Sequence, residues 1–166
     1  MNIRNVHCRM LPTSLKAAGK LIDGLASDED RLWPWERWPA MRFDGPLAVG
    51  AKGGHGPVRY TIQVYEPGRS ILFRFSAPTG FVGTHGFSVE SADSGKVRLM
   101  HTLDMVAVGP ARLSWPLVFR PLHDALLEDA LDKAECSLGG QPTAARWSPY
   151  VWALRRLLRR RRSAVE

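Results

Sequence analysis

From Phe75 to Glu90 the chain reads FSAPTGFVGTHGFSVE, and after the loop SADSG (91–95) it continues as KVRLMHTL from Lys96 to Leu103. Both runs alternate with period two, the pattern of strands that bury one face. Phe87 and Val89 in the first run share the apolar parity with Val97 and Leu99 in the second, and so do His85 and His101. Pairing Glu90 with Lys96 sets Val89 opposite Val97, Phe87 opposite Leu99 and His85 opposite His101. Ser88 then faces Arg98, and Thr84 faces Thr102, on the other side. A slip of one residue would set apolar against polar side chains along the whole hairpin. The reading predicts two imidazoles as direct cross-strand neighbours on a buried face, with β-carbons about 5 Å apart.

The same alternation runs backwards through the chain. Tyr60, Ile62 and Val64 alternate with Thr61, Gln63 and Tyr65; after Pro67–Gly68, Ile71, Phe73 and Phe75 take the apolar parity. Pairing 66 with 69 matches Val64 to Ile71, Ile62 to Phe73 and Tyr60 to Phe75. An L-Pro-Gly turn twists against its strands, so a bulge is expected there. If the 70s strand pairs next through APTG, a row Ile62–Phe73–His85–His101 crosses the sheet. Further upstream, NIRNVHCRML (2–11) puts Val6, Cys8 and Met10 on an apolar side and Asn5, His7 and Arg9 on the other. PTSLKAAGKLIDGLAS offers Thr13 or Ser14 as an N-cap and Leu15, Ala18, Ile22 and Leu25 at helical spacing. Downstream, Leu122, Leu126, Ala130 and Ala134 form a helical stripe widened by Leu127, Leu131 and Leu138. Asp124, Glu128, Asp132 and Glu135 mark the expected solvent side. Pro116 and Pro121 suit a first turn or a kink, and Gly139–Gly140 ends the helix.

At 166 residues, with 45% hydrophobic and 23% charged residues, the chain fits one domain with a tail. The division read from the sequence is 1–140 for the domain and 141–166 for a basic amphipathic tail. The net charge of +7 is concentrated in residues 155–166, which hold six arginines and one glutamate, so the body is nearly neutral. The N-terminus has no apolar signal region and no apolar run approaches the length of a spanning helix. Two cysteines, Cys8 and Cys136, make neither a disulfide framework nor a metal motif. Cys8, on the apolar side of its strand with no cation beside it, reads as an inert thiol. A cytoplasmic protein is expected, peripheral at a membrane if the tail binds one.

The order strand, helix, broken helical segment, meander, long helix resembles the START-like, or SRPBCC, superfamily in its polyketide-cyclase-like bacterial members. The stretches DRLWPWERWPAMRFD, GGHGPVRYTIQVYEPGRSILFRF, GFVGTHGFSVE and RPLHDALLEDALDKAE carry the likeness, over roughly residues 1–138. The resemblance implies an α+β helix-grip fold, in which a curved antiparallel sheet wraps a long C-terminal helix and encloses a hydrophobic cavity. It does not assign chemistry, because one fold hosts many activities.

Within that fold a small hydrophobic or aromatic ligand would meet Tyr60, Ile62, Phe73, Phe75, Phe87 and Leu99, with His85 and His101 as the polar handle. The bland alternative is a pair of neutral core histidines bonded to each other. A cyclase or dehydratase would use the same two histidines in acid–base catalysis. No cofactor is implied and no metal is expected, since two histidines with no carboxylate beside them fall short of a zinc set. Trp33, Trp35 and Trp38 read as a plug at one end of the sheet or as a lid stacking on a flat ligand. Glu36, between two of them, is expected to face solvent. GAKGGHG (50–56) lacks a phosphate-loop lysine and leads into a strand, so it reads as a bend that leaves His55 at a rim. His123 is expected at the polar boundary of its helix. Neither GxSxG nor SxxK occurs. In the tail, Trp147, Val151, Leu154 and Leu158 recur at helical spacing beside Arg155, Arg156, Arg159, Arg160, Arg161 and Arg162. That pattern suits a solvated helix or contact with an anionic membrane. Nucleic acid is disfavoured, because the body carries no basic stripe.

Overall fold

This computed structural model describes residues 1–143 and 146–163, with the side chains of all of these except Ser94 and residues 159–163. Seven strands form one antiparallel sheet: β1 (Asn2–Leu11), β2 (Arg42–Phe43), β3 (Lys52–His55), β4 (Val58–Glu66), β5 (Ser70–Ala77), β6 (Phe81–Ser91) and β7 (Val97–Ala107). Their order is β1-β7-β6-β5-β4-β3-β2, so the first strand joins the last across the meander. Helix α1 (Leu15–Asp23) follows β1. A short helix α2 (Ala111–Ser114), a π-helical turn (Trp115–Phe119) and α3 (Arg120–Ser137) form the long C-terminal helix, and α4 (Pro149–Ser163) follows. This is the helix-grip fold expected from the sequence.

Local chemistry places α1. Ser14 is its N-cap and accepts from the Ala17 amide at 3.2 Å. At the other end, Asp23 Oδ1 accepts from the Gly68 amide at 2.8 Å and from the Tyr65 hydroxyl at 2.9 Å, which ties α1 to the β4–β5 turn. The approach is close enough that a β-carbon on Gly19 would lie 2.2 Å from the Gly68 carbonyl oxygen.

Along β5, β6 and β7 the strand parities are as read, but Val64 of β4 is exposed and two registers differ. In the β6–β7 hairpin Phe87 pairs with His101, His85 with Leu103, and Val89 with Leu99. Ser88 faces Met100 and Thr84 faces Asp104. The strands run on to Ser91 and Val97, and a single 3₁₀ turn at Asp93–Gly95 closes the loop, with the Ala92 amide donating to the Lys96 carbonyl at 2.9 Å. The shift is two residues, so every side chain keeps its face, and the row across the sheet becomes Ile62–Phe73–His85–Leu103. In β4–β5, Tyr60–Phe75 and Ile62–Phe73 pair as expected, but Val64 meets Leu72 and Tyr65 meets Ile71. Besides one between Arg59 and Tyr60, an irregularity lies between Ile62 and Val64 rather than in the turn, where Gly68 takes a φ of 73°. It supplies the right-handed twist that an L-Pro-Gly turn withholds.

Strand β1 is turned over relative to expectation. Val6, Cys8 and Met10 are exposed, while Asn5, His7 and Arg9 point inward. The reason lies on α3, whose acidic residues face β1 and not solvent. Arg9 reaches Glu135 at 2.7 Å, Asp132 at 2.9 Å and Glu128 at 3.2 Å, and Asn5 donates to Asp124 at 2.9 Å. The apolar stripe of α3, with Leu126, Leu127, Ala130, Leu131 and Ala134 buried, packs into the main core.

Helix α4 folds back on this body. Asp129 of α3, with only 1% of its side chain exposed, accepts from Trp38 Nε1 at 2.6 Å, Trp147 Nε1 at 3.0 Å and Arg37 Nη1 at 2.8 Å. The Arg155 guanidinium lies 3.9 Å from the Trp38 ring and 4.2 Å from that of Trp147, and donates to the Arg37 carbonyl. Tyr150 donates to the Leu117 carbonyl at 2.6 Å. That carbonyl would otherwise face Pro121, which has no N–H to give it.

Candidate functional site

Four strands project the expected lining residues onto one face. Tyr60 and Ile62 come from β4, Phe73 and Phe75 from β5, His85 and Phe87 from β6, and Leu99 and His101 from β7. All but Phe75 are buried. The rings touch: Tyr60 and Phe73 lie 4.8 Å apart, and His85 stacks on Phe75 at 4.6 Å and meets Tyr60 edge-on at 4.9 Å.

Although the register is offset, the two imidazoles meet diagonally. His85 Nδ1 and His101 Nε2 share a hydrogen bond of 3.3 Å. Burial pushes both pKa values well below the ordinary histidine range, with neighbouring histidines adding to the effect, so both rings are neutral at pH 7. A neutral imidazole carries one N–H and one bare nitrogen. Whichever ring donates, the outward nitrogens, His85 Nε2 and His101 Nδ1, are therefore one donor and one acceptor. Both are buried and without a partner.

The pair belongs to a longer row that takes in all five histidines of the chain. At one end His55 Nδ1 lies 3.1 Å from the Tyr60 hydroxyl, and its ring is 4.6 Å from Trp33. Burial lowers its pKa to about 3 and raises that of Tyr60. At the other end the His101 ring is 5.1 Å from that of His123, which is 5.9 Å from His7. His123 therefore sits inside the grip and not at the polar boundary of α3; neither of its nitrogens has a hydrogen-bond partner, although Nδ1 is 3.6 Å from Asp124 Oδ1. Its pKa is lowered by burial, which the neighbouring Asp124 only partly offsets. For His7, burial opposes the charge, but hydrogen bonds to Asp124 and Glu128 outweigh it and raise the pKa. The row was hidden in the sequence because its members lie on five different elements. The one available signal was that His55, His85, His101 and Tyr60 all fall beside or on apolar parities.

Space opens at the His55 end. A groove of about 850 Å³ runs along β2–β4, and Pro39, Arg42, Lys52, His55, Arg59 and Tyr60 are among its lining residues. A second cleft, of about 250 Å³, lies by β1 and the π-helical turn, between Asn5, Trp115 and Arg120.

The tryptophans divide. Trp33 is buried and donates to the Pro39 carbonyl at 2.9 Å, and Trp38 is buried against Asp129. Trp35 is exposed, with the Lys133 ammonium 5.1 Å from its ring, and Glu36 pairs with Lys133 at 2.8 Å. Of the tail arginines, Arg155 is buried between two indoles and Arg156 is exposed; the side chains of Arg159, Arg160, Arg161 and Arg162 lie outside the described residues. Among the described residues no helix is long and apolar enough to cross a membrane.

No family model matches the sequence, and no curated protein matches it either. Solved structures do. Norcoclaurine synthase of Thalictrum flavum, a point mutant with a transition-state analogue, aligns with a TM-score of 0.61 at 13% identity, over 84% of this chain and 98% of that one. CalU16 of Micromonospora echinospora gives 0.57 at 14% identity, over 97% and 86%. Ara h 8.0201 gives 0.57 at 12% identity, over 83% and 98%. At such identities the likeness shows the fold alone, the helix grip.

Proposed function

We propose that this helix-grip chain binds a small hydrophobic or aromatic molecule bearing a hydroxyl or carbonyl group. The observation that carries the proposal is the His85–His101 pair. It offers one donor and one acceptor, both buried and unpartnered, within a wall of aromatic rings. Buried polar groups are nearly always satisfied, so a ligand that supplies the missing partners gains what the apo protein lacks. The groove at His55 and Tyr60 would be the entrance, because Tyr60 lines it and also meets His85 edge-on, and its arginines and lysine favour a ligand with an electron-rich outer end.

The test compares 2-naphthol with naphthalene by calorimetry or fluorescence. The wild type should bind naphthol about 10–100-fold more tightly, the worth of one or two buried hydrogen bonds. The double variant His85→Phe, His101→Leu should erase that preference while still binding naphthalene. Equal affinity of the wild type for both compounds, or a preference that survives in the double variant, would refute the reading.

The same donor–acceptor pair favours a second reading, acid–base catalysis on a carbonyl compound. The bare nitrogen would take an α-proton while the N–H polarises the carbonyl, and both rings are neutral at pH 7, as this requires. Deuterium exchange at the α-carbon of 2-tetralone, followed by NMR, reports on this step alone. His85→Ala and His101→Ala should each slow it about 10²–10⁴-fold; exchange at the buffer rate in the wild type removes the enzyme reading.

A further inference from the structure

The outer end of the histidine row has the geometry of a coordination shell. β1 turns His7 inward, and the first turns of α3 lay His123 and Asp124 over it. His7 Nε2 is 3.2 Å from Asp124 Oδ1 and His123 Nδ1 is 3.6 Å from the same oxygen. One candidate atom from each of the three residues lies within 4.8 Å of the others. A tetrahedral ion with bonds of about 2.0–2.2 Å spaces its ligands about 3.3–3.6 Å apart. Hydrogen bonding accounts for only part of the cluster: the His123 contact is too long, and both nitrogens of that ring are buried without a partner.

The surroundings complete the pattern. His7 Nδ1 lies 2.8 Å from Glu128 Oε1, so a carboxylate fixes the tautomer that directs Nε2 into the cluster. Metal-bound histidines are oriented in this way. Asn5 donates to Asp124 Oδ1 at 2.9 Å, and Arg120 approaches the other oxygen, Oδ2, at 3.7 Å. Asn5 and Arg120, the two groups that approach Asp124, also line the small cleft by Trp115. Glycine or backbone accommodation is not needed, because all three groups are side chains on regular elements.

We propose that His7, His123 and Asp124 bind a divalent first-row transition cation of the zinc type, with a fourth position left for water. Two imidazoles and one carboxylate suit zinc, cobalt, nickel or iron(II), and disfavour calcium and magnesium, which take oxygen ligands. Asp124 with Glu128 brings two negative charges to match the ion. The site shares no ligand with the His85–His101 pair, so either proposal stands if the other fails.

The experiment uses the full chain, stripped with chelator and titrated with cobalt(II), read by its visible absorption, then back-titrated with zinc. One equivalent of cobalt should give tetrahedral bands that zinc bleaches. Glu128→Gln should weaken binding about 10–100-fold, and Asp124→Asn and His123→Ala should weaken it further. Cys8→Ser and Cys136→Ser should leave it unchanged. Circular dichroism and the melting temperature establish that each variant is folded; Asp124 is the most exposed of the three, so Asp124→Asn decides the matter if His123→Ala does not fold. The proposal is overturned if no stoichiometric band develops, or if folded Asp124→Asn holds cobalt as tightly as wild type. A band lost in a cysteine variant overturns it as well.

Discussion

Asp129 joins three donors from two separate parts of the chain, and its replacement has a calculable cost. Its Oδ2 accepts both indole N–H groups, from Trp38 and Trp147, while Oδ1 accepts from Arg37. In Asp129→Ala both indole donors lose their acceptor. At about 1–3 kcal/mol for each stranded buried donor, the loss is about 2–6 kcal/mol. Arg37 adds little, because nearly half of its side chain is exposed and can turn to water. In Asp129→Asn the amide oxygen can stay with the indoles, while the NH₂ group that replaces Oδ1 cannot accept from Arg37, which turns to water. One exposed ion pair is lost and two hydrogen bonds lose their charge assistance, so the loss is about 1–2 kcal/mol. Urea unfolding reads the difference. With a slope of about 2 kcal/mol per molar, the alanine midpoint should fall by about 1–3 M and the asparagine midpoint by less than about 1 M, at unchanged slope. Limited proteolysis should cut the 140–148 connection faster in the alanine variant, because Trp147 loses its anchor. Equal losses in the two variants, or a loss in Asp129→Ala below about 1 kcal/mol, would show that the indoles find other acceptors and that Asp129 does not hold α4 in place.

Two further outcomes follow from groups already described. His55, His85, His101 and His123 all have pKa values lowered by burial, so below about pH 6.5 the unfolded chain binds protons that the native one refuses. Stability should fall as the pH is lowered from 7 to 5, by up to about 1.4 kcal/mol per pH unit for each histidine. His7, with a raised pKa, acts in the other direction: its contribution is complete below about pH 6.5 and fades as the pH rises through its native value. His85→Phe, His101→Leu should flatten the acid limb of a urea-midpoint profile, and an unchanged slope would contradict the assignment of neutral rings. Gly19→Ala should destabilise the fold by about 1–3 kcal/mol through overpacking against the Gly68 carbonyl, although alanine is the better helix former by about 1 kcal/mol. A thermal melt at or above that of wild type would mean that α1 can move off the turn without cost.

What could be read in the sequence was parity. Alternation placed Tyr60, Phe73, His85, Phe87, Leu99 and His101 on one face, and the structure agrees. Alternation is blind to a slip of two, which is why His85 was matched to His101 and is found opposite Leu103. The loop alone could have settled it, through the 3₁₀ turn at Asp93–Gly95. On β1 the same rule misled. Val6, Cys8 and Met10 form the more apolar side, yet Asn5, His7 and Arg9 are inside, because α3 supplies four carboxylates to receive them. The signal existed as complementarity between a basic period-two run and an acidic helical one, but the two stand more than 110 residues apart and no local rule joins them. The same distance concealed the approach of His7 to His123.

The clamp between β1 and α3 also bears on how the chain is made. Arg9 and Glu135 are separated by 126 positions, and among the described strands β1 pairs with β7 alone. Made before β7 and α3, β1 must wait, basic face and unpaired edge together, until both have followed it. The grip therefore shuts late, from both ends at once, and a prematurely terminated product would carry a sticky border and stranded charges into a crowded cell.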